Sequence, residues 1–94
     1  MDEETKNNLQ KQFLSLPQAL QDAVNSTDVA GILGEIAKKN QLMIDQAGGL
    51  EIETKLILLG LSKEKDLVNN LIGNVGLKKD VAIAVAYDVD NYIF

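Results

Sequence analysis

Between Asp28 and Asn40 the apolar residues Val29, Ile32, Leu33, Ile36 and Ala37 return every three or four positions, which is the period of one helix face. The stretch also carries its own start and stop. Asn25-Ser26-Thr27-Asp28 supplies side chains that cap helix starts. At the other end, Lys38-Lys39 sets cations against the negative end of the helix dipole, and Asn40 is a residue that tolerates the left-handed cap conformation. Period, start and stop agree, so a helix is predicted here and the other segments are read against it.

Downstream, Met43, Ala47, Leu50, Thr54, Ile57, Leu58 and Leu61 keep a helical spacing, but Gly48-Gly49 lies inside it. Each glycine costs a helix roughly 0.5 to 1 kcal/mol against alanine. The expectation is one kinked helix or two shorter ones. The short apolar run 56–59 also permits a strand; Gly60 just after it fits a helix stop and favours helix. Ser62 as N-cap, with Glu64 and Asp66 in the first turn, predicts a helix carrying Leu67, Val68, Leu71, Ile72 and Val75 and ending in the turn Gly73-Asn74-Val75-Gly76. The last helix opens at Lys78-Lys79-Asp80 and runs through Val81, Ala84, Val85, Val89, Tyr92 and Ile93, although the β-branched residues at 81, 83, 85 and 89 permit a strand as well.

Upstream, Ser15-Leu16-Pro17 reads as a helix entry, because proline at a first helical position loses no hydrogen bond, and a helix from about Pro17 to Asn25 follows. Residues 1–15 form an arm or short helix with Leu9, Phe13 and Leu14 at sparse spacing. Links of about two to four residues force neighbouring helices to pack together. The expected fold is all-α, a compact bundle of five to six short helices, with residues 16–94 as a single helical domain. The ending Tyr92-Ile93-Phe94 lies inside its apolar pattern and without a cap, as in a domain cut from a longer chain.

Composition narrows the chemistry. With no histidine and no cysteine, the commonest general base, the commonest metal ligand and the thiol nucleophile are all missing. A cysteine-free small domain fits a reducing compartment, so a cytoplasmic protein is expected. All nine basic residues are lysine, which leaves no guanidinium fork for phosphate or a guanine edge, and the net charge of −5 repels nucleic acid and anionic membrane. The opening Met1-Asp2-Glu3-Glu4 is the opposite of a secretory signal, and the longest apolar run, 56–61, is too short to span a bilayer.

The remaining motifs reduce to structural roles. Asp88-Val89-Asp90-Asn91 approaches the alternating oxygen ligands of a calcium loop but lacks the central glycine and closing glutamate, and reads as a solvated helix face. Glu51 and Glu53, two apart, point away from each other on a helix and are assigned to the surface. Gly31 and Gly34, with Ala30 and Ala37, suggest a small-residue face for close helix packing. The lysine pairs 38–39 and 78–79 are flanked by Glu35 and Asp80 and read as surface. No catalytic residue, cofactor or metal site is expected.

Through Leu16-Pro17-Gln18-Ala19-Leu20, Glu35-Ile36-Ala37-Lys38-Lys39, Leu59-Gly60-Leu61 and Tyr92-Ile93-Phe94, residues 16–94 resemble an uncharacterised family of small all-helical domains in candidate-phylum bacteria. The resemblance implies no activity and no ligand. The function expected from the residues is a non-enzymatic helical interaction module that binds a protein partner or a second copy of itself. Its candidate face is Tyr87, Tyr92 and Phe94, since aromatics are enriched at interface hot spots; the competing role for these rings is to close the core. The alternative function is a DNA-associated helix-turn-helix around Gly60-Leu61-Ser62, against which the acidic charge and absent arginine argue.

Overall fold

The computed structural model describes Lys11, Leu14, Ser15, Pro17, Gln18 and residues 27–94, and everything described is helix or the turns between helices. There are four helices among these residues. α1 is Thr27–Lys39 and α2 is Ile44–Leu58. A 3-10 turn, Glu64–Asp66, leads into the single α-turn α3, Leu67–Asn70, which widens into a π-turn over Leu71–Val75. α4 is Lys79–Tyr92. The expected arm over 1–15 and the helix expected from about Pro17 to Asn25 fall almost wholly outside the described residues.

α1 packs against both α2 and α4, and the α3 segment fills the other side of the same two helices. Leu33 and Ile36 of α1, Leu50 of α2, Leu67 and Leu71 of the α3 segment and Val85 and Val89 of α4 meet in one aliphatic core. Among the described residues no aromatic ring is buried in it.

Two helix ends close in the same way and a third in a wider form. After α1, Gln41 N–H donates to the Lys38 carbonyl and Leu42 N–H to the Ala37 carbonyl, a Schellman closure that leaves Gln41 at φ 57. After α2, Gly60 N–H donates to Ile57 and Leu61 N–H to Leu56, with Gly60 at φ 75. The third, after Val75, is one residue wider: Gly76 sits at φ 84 and Leu77 N–H reaches back to the Leu71 carbonyl, as the π-turn requires.

Several expectations are corrected here. The left-handed residue after α1 is Gln41, not Asn40, because Asn40 N–H still donates to the Ile36 carbonyl in helical register and the closure falls one residue later. α2 runs unbroken through Gly48-Gly49, and no strand forms over 56–59 or 81–89. Gly49 is why the glycines are tolerated: a Cβ there would lie 2.9 Å from Val75 Cγ2, so its absence lets α2 close onto the π-turn, whereas Gly48 faces open space. Gly31 and Gly34 also face open space and make no small-residue packing face. Ser62 does not cap the following helix: the residue before the 3-10 turn is Lys63, and Ser62 Oγ instead accepts a hydrogen bond from Asn70 Nδ2 at 3.3 Å.

Candidate functional site

α4 presents two chemically different faces. Residues 82, 85, 88 and 89 point inward, while Lys79, Asp80, Ile83, Ala84, Tyr87, Asp90, Asn91 and Phe94 are all exposed. At 3.6 residues per turn the positions 79, 83, 87 and 90 fall on one outward stripe, and Phe94 lies just beyond the end of α4. Of its apolar members Tyr87 is 68% exposed and Ile83 49%, while Phe94, past the helix end, is 40% exposed. Tyr92, off this stripe, is 62% exposed. The three residues singled out from the sequence thus lie outside the buried core, with Tyr87 on the stripe, Phe94 past the end of α4 and Tyr92 around the helix from Tyr87. Ile83 was missed, although its spacing of four from Tyr87 placed it on the same face.

One flank of the stripe is fixed by a polar latch. Asp88, read from the sequence as solvated, is buried. Its Oδ2 accepts from Asn40 Nδ2 at 3.0 Å and its Oδ1 from Lys39 Nζ at 3.0 Å, while the Asn40 amide also donates to the Ile36 carbonyl at 2.8 Å. The Asn40 hydrogen bond, aided by Lys39, holds the Asp88 carboxyl below the usual aspartate range against the opposing effect of burial. The same pairing, with smaller contributions from the nearby Tyr92 and Tyr87, holds the Lys39 ammonium above its ordinary value. So the last turn of α1 and the middle of α4 are pinned together beside both tyrosines.

On the other flank, a hydrogen bond to Asp90 raises the Glu64 carboxyl above its usual value, with burial and the Asp90 charge adding to the effect. Two acids therefore sit together at the C-terminal end of the stripe, with Lys79 at its N-terminal end.

Away from this face, Glu53 is only 2% exposed, which corrects its assignment to the surface. Asn74 Nδ2, in the π-turn, donates to Glu53 Oε1 at 3.1 Å. The adjacent Thr54 is fully buried and its Oγ1 has no hydrogen-bond partner. Glu51, by contrast, pairs with Lys55 at 2.9 Å along the side of α2. A sequence signal for Glu53 existed: Leu50, Glu53, Thr54 and Ile57 keep the spacing of a single helix face.

Among the described residues no group of three or more potential metal ligands converges, and no helix is long and apolar enough to cross a membrane. Comparison with known proteins gives no match to a family model, to a curated protein or to a solved structure.

Proposed function

We propose that this chain is a non-enzymatic protein-interaction module and that it binds through the outward face of α4. The observation that carries this reading is the exposure of Tyr87 and Ile83 on that face, with Phe94 beyond its end and Tyr92 around the helix, beside a core that is aliphatic among the described residues. Tyr87 and Tyr92, each more than half exposed, forgo core burial worth roughly 1.5 to 3 kcal/mol for a side chain of this size and gain it only when another surface covers them. The latch supports the same reading. It fixes α4 against α1 beside the tyrosines, so the face is preorganised and little ordering is left to offset binding.

Capture from a lysate of the source cells, with and without nuclease, tests it. The parent chain and a Tyr87→Ala, Phe94→Ala variant are compared, with circular dichroism to show that the variant keeps its helices. A protein that survives nuclease and is lost with the variant is the expected result. Recovery of nucleic acid alone, or of the same proteins by both chains, would overturn the reading.

A further inference from the structure

We infer that the partner for the α4 face is a second copy of the same chain, joined by an antiparallel α4–α4 contact about a two-fold axis near the level of Val85. This rests on the reading of that face as an interaction surface and goes one step further by naming its occupant.

The argument is self-complementarity. A two-fold interface sets each residue of one copy against a fixed residue of the other, so the face must complement its own reversed image. For antiparallel helices centred near position 85, Ile83 meets Tyr87 of the second copy at the centre, and the axis repeats this pair. The polar residues then sort onto two edges. Lys79 and Asp90 lie towards one edge of the stripe, Asp80 and Asn91 towards the other. The two-fold keeps like edges together, so Lys79 meets Asp90 of the second copy and Asp80 meets the Asn91 amide. No like-charge pair is forced together. The helix dipoles oppose as well, each positive end beside the other's negative end.

The acidic end has a further reason to accept a cation. Asp90 already lies beside Glu64, and its hydrogen bonding, with burial and its charge, holds the Glu64 carboxyl above its usual value. A lysine from the second copy supplies the opposite charge that these two acids lack within the contact described. A contact one helix wide falls below the roughly 1,200 Å² of a standard stable interface, so the dimer is a weak one that forms at high concentration.

Sedimentation of the full 94-residue chain from about 20 µM to about 2 mM, near 0.15 M salt, tests this across the range a weak interface requires. The mass is expected to rise from 10.2 kDa towards twice that value. Ile83→Glu, and independently Tyr87→Ser, alter exposed side chains and are expected to abolish the rise while the helical signal is kept. Lys79→Glu and Asp90→Lys are each expected to weaken association about tenfold or more, since each replaces two attractions by two repulsions. An equimolar mixture of these two variants restores it, because each then supplies the charge the other needs. A parent chain that stays monomeric at the top of the range overturns the second copy as occupant, and the capture experiment separately decides whether the face binds another protein. A dimer indifferent to Ile83→Glu and Tyr87→Ser, or a mixture no stronger than its components, overturns the proposed geometry.

Discussion

Asn40 donates its side-chain amide to Asp88 across forty-eight positions of chain and so helps join the end of α1 to the middle of α4. The buried acceptor also takes the Lys39 ammonium, but Lys39 is mostly in water, where solvent screens an ion pair strongly. The Asn40 bond is therefore the stronger half of the latch. Asp88→Asn is expected to cost about 1 to 3 kcal/mol at neutral pH, and Lys39→Met distinctly less. The sign with pH follows from the depressed carboxyl: the folded protein binds that proton less tightly than the unfolded chain does. Its stabilisation is present above the ordinary aspartate pKa and is lost as pH falls through the lower folded value. The gap between parent and Asp88→Asn should thus close in acid, and urea titrations at about pH 7 and about pH 3 measure it. Equal stability of the two at neutral pH would show that the latch contributes nothing.

Two adjacent glycines in α2 are expected to respond in opposite ways. A Cβ at Gly49 meets Val75 Cγ2 at 2.9 Å and Cγ1 at 3.0 Å, and Val75 is both β-branched and buried, so it has little room to turn aside. Gly49→Ala should destabilise by about 1 to 3 kcal/mol through overpacking. At Gly48 a Cβ meets nothing within 4 Å, and Gly48→Ala should stabilise by about 0.5 to 1 kcal/mol through helix propensity alone. Thermal or urea unfolding of the two variants checks the pair; the same sign for both would refute the packing account.

Thr54 carries a hydroxyl that is buried without a partner, and such a group costs its desolvation for no return. Valine has nearly the same shape and similar helix propensity. Thr54→Val is expected to raise stability by about 1 kcal/mol, while Asn74→Ala, which removes the donor to the buried Glu53, should lower it by about 1 to 3 kcal/mol. A Thr54→Val protein less stable than the parent would mean that the hydroxyl is satisfied after all.

What the sequence reveals and hides follows from the range of each interaction. α1 is readable because its stripe, Leu33, Ile36 and Ala37, and its terminal signals lie within one short window. The stops at Gly60 and Gly76 are readable because a left-handed residue favours glycine locally, whatever packs around it. Asp88 and Glu53 are not, because a carboxylate reads as surface until its partner is known, and Asn40 and Asn74 stand forty-eight and twenty-one positions away. The α4 face is half legible: the aromatic cluster stands out in composition, whereas the sorting of Lys79 with Asp90 and of Asp80 with Asn91 emerges only once the helix and its buried side are fixed.

The acid pair at the end of α4 gives the opposite pH signature to the latch. Glu64 binds its proton more tightly in the folded chain than in the unfolded one, because the protonated carboxyl hydrogen bonds to Asp90. The contribution of the pair is full below the unfolded glutamate pKa and is lost as pH rises through the raised folded value, leaving two carboxylates in repulsion at neutrality. Glu64→Gln keeps an N–H donor for Asp90 at every pH and removes the charge. The variant should match the parent at about pH 3 and exceed it at about pH 7, a difference that grows through the carboxylate range. Because Asp88 is unchanged in both proteins, its acid-limb loss cancels in the comparison. Urea midpoints measured at low protein concentration, where the proposed dimer is dissociated, isolate the effect within one chain; a constant offset between the two proteins at all pH values would show that Asp90 does not raise the Glu64 carboxyl.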